Sequence, residues 1–390
     1  MAHLKQFFKS SIKRVVLSCG VLYFFMPGSP ALQAEILPFF NPGAIQEKSA
    51  INVSMQAFIA SDPVSVHSFF NDWDGRYTPE KKDNIVMEEL RIDVSLLLDE
   101  QYAIGYFFSR NLLGVANRDF VDFYHAIKND KKFNNKKQYA ISLEMKGIDQ
   151  HGLLLSRHVN LINNKEHAFT VGGSVFLSYA TDIQDGQLVG ESTIDVDQTY
   201  NASGSVDYYY MNNLLYDINV EKTYGLGYGF HAGLDYVNKV YNFKISFLAN
   251  DIFSRSYWKN IPFSYVDIET ENQIINNRGH IEYNPTISGR EIYRNYTQKV
   301  LPKCQAKITK HFHYDIDATL GVEKRSIVTM PYVKAVKTMS DGRKIGLLYE
   351  NRFKSMGISL EEKNYYISFL TDGLTNVSAA SLSGKYLYHF

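Results

Sequence analysis

The sequence has little cysteine, little proline and no surplus of either charge, and each scarcity removes a class of protein. Two cysteines in 390 residues, Cys19 and Cys304, cannot make a disulfide framework. Ten prolines beside 14% aromatic residues argue against a disordered chain, because so much ring surface needs a fold to bury it. Lys plus Arg number 41 and Asp plus Glu 41, whereas a nucleic-acid binder needs a basic excess to displace counterions. Nucleic acid is therefore not an expected partner. Catalytic motifs are missing as well: there is no Gly-x-Ser-x-Gly and no His-Glu-x-x-His. Cys304 has no Cys or His at a zinc spacing, and His311 and His313, either side of Phe312, read as histidines at a membrane interface. An enzyme is not expected, and no residue is assigned as catalytic, cofactor-binding or metal-ligating.

What is present begins with a targeting segment. Lys5, Lys9, Lys13 and Arg14 stand without an acid, an apolar stretch follows over 15–26, and Ala31-Leu32-Gln33-Ala34 puts small residues where a signal peptidase cuts. Residues 1–34 read as a cleavable secretory signal, residues 35–49 as a periplasmic lead-in and residues 50–390 as one folded domain. Past Glu35 no run of 18 apolar residues occurs, so a membrane-spanning helix is not expected there.

The body alternates instead. Leu90, Ile92, Val94, Leu96 and Leu98 are apolar while Glu89, Arg91, Asp93 and Ser95 between them are polar, the period of two that places the sets on opposite faces of a strand. Ile51 to Ile59, Tyr139 to Met145, Phe169 to Tyr179 and Tyr224 to Tyr236 repeat it, the last with glycines and His231 on the second face. A sandwich would turn the apolar face inward and a membrane barrel would turn it outward. Aromatic residues near strand ends, such as Tyr102, Phe108, Tyr224 and Tyr236, suit interfacial girdles, and Glu144 and Lys146 on the opposite face suit a wet lumen. The final segment decides the matter: Ala380, Leu382, Gly384, Tyr386, Tyr388 and Phe390 form one face ending on an aromatic residue. This resembles the last strand of bacterial outer-membrane barrels, and the resemblance implies that Tyr386, Tyr388 and Phe390 are read by the barrel-assembly machinery.

The expectation is an all-β fold: a single transmembrane antiparallel β-barrel in the bacterial outer membrane, of about 14 strands with 12 to 16 allowed, at roughly 25 residues per strand and connector. Tight turns are expected at Asp99-Glu100, 147–150 and 237–239, and long external connectors at 60–87, 110–137 and 251–300. Within 117–130, Phe120, Phe123, Tyr124 and Ile127 fall at helical spacing with Asp119 and Asp122 near the start, which suits a helix N-terminus. That short connector helix is expected either as a plug in the lumen or as a helix packed on the barrel rim. Lys131-Lys132 and Lys136-Lys137 suit loops that touch anionic lipopolysaccharide, so outer-membrane lipid and lipopolysaccharide are expected partners.

Phe39-Phe40-Asn41-Pro42-Gly43-Ala44-Ile45 just before the first strand resembles the Asn-Pro-Ala segment of FadL-type outer-membrane proteins and their PorV and TraF-like relatives. The strands around Gly227 to Tyr236 and Ile245 to Phe253, and Leu301-Pro302-Lys303 opening the next strand, are similar to that family too. The sequence departs from it where Gly43 replaces Ala and where only residues 35–40 precede Asn41, too few for the N-terminal hatch of the fatty-acid transporters. The resemblance implies passive passage of a small hydrophobic or amphipathic solute. Its PorV and TraF-like side implies the alternative, a non-transporting barrel serving surface assembly, adhesion or a secretion or conjugation apparatus.

Overall fold

The computed structural model describes residues 36–37, 39–42, 50–71, 73–98, 101–133, 138–195, 199–212, 220–270 and 286–390, with the backbone of 273–275 and 281–283. Residues 1–34, read above as a signal, lie outside the described residues, as do Gly43 to Ile45, Asp99-Glu100 and Lys136-Lys137. The first strands are β1 (Ala50–Ser61), β2 (Asp83–Leu97), β3 (Tyr102–Asn117), β4 (Gln138–Asn163), β5 (His167–Ile194), β6 (Tyr200–Tyr210), β7 (Gly225–Asn238) and β8 (Phe243–Glu269). A small hairpin, β9 (Gln273–Ile275) and β10 (Ile281–Tyr283), precedes β11 (Ile287–Lys299) and β12 (Lys303–Phe312). The chain finishes with β13 (Ile316–Arg325), β14 (Val328–Thr338), β15 (Lys344–Glu350), β16 (Ser355–Glu362), β17 (Tyr365–Thr371) and β18 (Ala379–His389). Two helices, α1 (Val66–Phe70) and α2 (Arg118–Lys128), sit in the connectors after β1 and β3.

Fourteen of the strands close a ring, and β6 and β11 lie outside it. Every rung is antiparallel, and β1 meets β18 in the register Val53 to Tyr386 and Ile51 to Tyr388, so the sheet has no open edge at membrane depth. The outward row is apolar and bare, with Leu153 and Leu347 each 64% exposed and Leu177 72% exposed. Only lipid makes that arrangement stable, and the protein is an outer-membrane β-barrel. Connectors at one end are tight, as at 164–166, 239–242 and 363–364, and this end is periplasmic by the usual asymmetry.

Strand length departs from the sequence reading. Tyr139 to Met145 and residues 151–161 were expected as two strands around a turn at 147–150, yet they form the single 26-residue β4. Gly147 and Asp149 look like turn chemistry, but β4 runs straight through them, and the register shift there is taken up by an extra residue, Thr181, on β5. Residues 251–300, expected as a loop, hold the upper half of β8 and all of β11. β5 has 28 residues and β15 only 7, whereas crossing a membrane takes roughly 9 to 11. The barrel is therefore cut obliquely, with a tall wall of β4, β5, β6, β8 and β11 standing beyond the membrane on the external side.

Along that wall β6 and β7 share one line beside β5: Tyr210 faces Gln184, and the pairing resumes where Gly225 faces Ala180. One long strand is thus interrupted by residues 211–224. The inward row of β7 is made of glycines because rings lie flat upon it. A Cβ on Gly225 would come 2.8 Å from Cε2 of Trp258, and one on Gly229 would come 2.4 Å from Cζ of Phe176. β8 bends where Asp251 and Phe253 take positive φ, 58° and 51°, an unusual conformation for a bulky side chain.

Candidate functional site

The inward rows carry paired charges. Glu89 of β2 receives Lys303 at 3.1 Å and Arg325 at 2.7 Å from the far side of the ring. Arg91 binds Asp93 through its Nε at 2.9 Å. These side chains are buried. A carboxylate so placed would be costly unless its partners came with it. Alternation puts each of them on the face opposite the lipid, so the rows were legible, but the partnership across the ring was not.

Against this network lies the N-terminal stretch. The backbone amides of Ile36 and Leu37 donate to the two carboxylate oxygens of Glu323 at 3.1 and 2.7 Å, and Ser381 donates to the Ile36 carbonyl at 3.0 Å. Phe39 exchanges backbone bonds with the Gln56 amide, its N–H reaching Oε1 at 2.6 Å. The Phe40 ring stands 5.5 Å from the Arg91 guanidinium and 5.5 Å from the His231 ring. Residues expected only to lead in from the periplasm thus pack inside the ring, held by side chains rather than by sheet pairing. The overlooked signal was Ile36, Leu37, Phe39 and Phe40 themselves: so apolar a stretch has no reason to remain in water.

Above the N-terminal stretch the interior turns apolar. Phe58, Met87 and Leu113 of β1 to β3 pack with Met330, Tyr332, Phe353 and Leu370 from the run of β14 to β17, and Ile36, Leu37 and Phe39 join them. A second cluster, Ile148, Ile183, Trp258, Ile261 and Val300, fills the level where β6 gives way to β7. Leu301 packs on the first cluster and Val300 belongs to the second, so the two meet at consecutive residues.

Helix α2 forms where the spacing predicts it. Asn117 caps it, accepting from the Phe120 amide at 3.0 Å, and Asp119 occupies the first turn. Its place differs from the plug reading. Phe120 and Tyr124 pack with Val121 against Ala116 and Leu143, and Ala116 and Leu143 lie in the outward row that continues Ile104, Phe108 and Leu153 by alternation. Phe123 stacks on Phe133 and meets Tyr139 and Tyr200 edge-on or tilted. Ile127 is half-buried on the same helix. Phe120, Phe123 and Tyr124 therefore lie on the outer side of the tall wall rather than in the lumen. Tyr77 stacks on His125 with ring centroids 3.8 Å apart and donates to Asp122, which also takes Arg118 at 2.8 Å. Burial and the Asp122 carboxylate raise the Tyr77 pKa, while burial and Lys131 lower that of His125.

Between these helices and the lipid band runs a belt of charge on the outward row. Arg110 holds Asp149 through its Nε at 2.9 Å and approaches Glu88 at 3.8 Å, with Asp182 beside them. Elsewhere Ser156 bonds Ser174 at 2.7 Å rather than His158. His311 pairs with Asp317 at 2.8 Å, and β12 ends at Phe312, one residue before His313. Tyr208 and Tyr210 are buried outward while Tyr209 stacks on Tyr296 inward. Tyr386, Tyr388 and Phe390 stand on the outward side of the closing strand, Phe390 bare.

No known protein family matches this sequence, and no curated protein does. Solved structures with a similar fold include a TodX mutant described as a monoaromatic hydrocarbon channel, at a TM-score of 0.46 and 10% identity over 90% of this chain and 93% of that one. A FadL homologue of Pseudomonas aeruginosa follows at 0.39 and 11%, over 90% and 93%. The Ralstonia pickettii toluene transporter TbuX matches at 0.34 and 7%, over 90% and 92%. The chain is a closed fourteen-stranded outer-membrane barrel, and FadL-type channels are among the solved folds it is similar to.

Proposed function

We propose that this barrel passes small apolar or amphipathic molecules across the outer membrane, with the N-terminal stretch as the removable obstruction in its path. The observation that carries this reading is the apolar interior: the cluster around Phe58, Met87 and Met330 runs into the one around Trp258 and Ile183 at Val300-Leu301. A pore for ions or sugars would need wet, polar walls there, because bare apolar side chains hold no water for a polar solute to exchange with. The obstruction is held without sheet pairing, by backbone bonds to Glu323, Gln56 and Ser381 and by the packing of Ile36, Leu37 and Phe39.

The test pairs two measurements on the full chain and on a variant lacking residues 36–42. Cells displaying the chain should take up a radiolabelled short-chain or single-ring solute faster than cells without it, and faster still with the variant. The intact protein in a planar bilayer should be electrically silent, since stepwise ohmic openings would mean an aqueous pore. A second reading, a non-transporting barrel in surface assembly or adhesion, draws on the charges tied across the lumen by Glu89, Lys303 and Arg325. Unchanged uptake with both forms would select it.

A further inference from the structure

Outside the ring, between the tall wall and the two connector helices, is a cavity of about 170 Å³. Phe69, Phe70 and Trp73 line it from α1 and the residues after it, Phe120 and Tyr124 from α2, and Leu112, Gly114 and Met145 from the outward wall. A dry cavity of about 150 Å³ with aliphatic and aromatic walls is known to admit benzene. The polar groups at its rim are already satisfied: the Asn84 amide accepts from the Glu80 N–H at 2.7 Å and donates to the Glu80 carbonyl at 3.3 Å, and the Asn71 amide donates to the His67 carbonyl at 2.8 Å. Lys128, the single charged residue lining it, is itself engaged. A guest that brought a charge or several hydrogen-bonding groups would find no partner and would lose its hydration.

The position narrows the source of the guest. Leu112 lies two residues beyond Arg110 on the same outward row, so the belt of Glu88, Arg110 and Asp149 stands between the cavity and the lipid. From this we infer that the protein carries an external binding site for one small, uncharged, ring-sized apolar molecule taken from the outer medium. The site is separate from the interior path and does not depend on the passage reading.

The wall and the reporter both suit a direct test. A side chain added at Gly114 meets nothing nearer than the Val86 carbonyl oxygen at 3.8 Å, so Gly114→Leu fills the cavity without straining the backbone. Of the two tryptophans, Trp73 lines the cavity and Trp258 is buried in the interior, so Trp258→Phe leaves Trp73 as sole reporter. In lipid nanodiscs, toluene should change Trp73 fluorescence along a saturating curve, and adding Gly114→Leu should weaken the apparent affinity at least ten-fold while the barrel keeps its heat-modifiable gel migration. A change linear in toluene, as simple partition into lipid gives, or a curve unaltered by Gly114→Leu, would overturn the inference. Uptake in cells carrying Gly114→Leu is the separate readout for passage, so either idea can fail alone.

Discussion

At the scale of single residues, the external mouth is tied by Asp62. Its carboxylate accepts from the Ile85 amide at 2.9 Å and from Arg352 at 2.7 Å, and Arg352 also reaches Glu80 at 3.0 Å. The bridge thus joins the connector after β1 to the turn between β15 and β16. Burial pushes the Asp62 carboxyl up to about 6 against the opposing pull of Arg352. A carboxyl whose folded pKa lies above its unfolded value, about 3.9, binds its proton more tightly when folded. Its contribution to stability is therefore full below about pH 4 and is lost as pH rises to about 6, with no further change above. Asp62→Asn keeps an acceptor for Ile85 and Arg352 but cannot titrate. Urea midpoints between pH 3.5 and 7.5 should fall across that window in the natural protein and fall less in the variant; identical slopes would mean that another group sets them.

Among the elements, α2 depends on one side chain more than on its propensity. Asn117 accepts from the Phe120 amide and, at 3.2 Å, from the Ser142 amide, while its own amide donates to the Ala140 carbonyl at 2.8 Å. It therefore caps the helix and pins it to β4. Asn117→Ala should cost about 1 to 2 kcal/mol, felt locally: amide hydrogen exchange over Arg118–Lys128 should quicken roughly ten-fold, and the urea midpoint of the barrel should hardly move. Elements also mark where sequence reasoning stops. The helix was visible in the spacing of Phe120, Phe123 and Tyr124, because a local period needs no knowledge of the rest of the chain. Which surface it covers was not, since lumen and outer wall offer the same apolar contact. Gly147 and Asp149 misled for a related reason: they answer to neighbouring strands rather than to a turn, Gly147 because a Cβ there would meet the Leu112 side chain at 2.9 Å and Asp149 because it pairs with Arg110. The expected count of fourteen still held because it rested on chain length, at roughly 25 residues per strand and connector, and so did not depend on where each strand was read to begin and end.

For the molecule as a whole, the closed ring, the lipid-facing row and the location were legible because each follows from alternation repeated many times over. Closure across the lumen was not, since Glu89 with Lys303 and Glu323 with Ile36 are separated by hundreds of residues and obey no local pattern. These long-range contacts decide whether the barrel is open, and the N-terminal stretch can be asked directly. The sequence holds two cysteines, so Cys19→Ser and Cys304→Ser with Leu37→Cys place a single thiol beside Glu323. Leu37 is fully buried, and in the intact barrel a membrane-impermeant maleimide should label it slowly. Glu323→Ala removes both acceptors of the Ile36 and Leu37 amides, a loss of about 1.5 to 3 kcal/mol for each bond to a charged group. Labelling should then accelerate by at least ten-fold while heat-modifiable migration stays unchanged. Equal rates in the two forms would show that the apolar packing of Ile36, Leu37 and Phe39, rather than the Glu323 carboxylate, keeps the stretch inside.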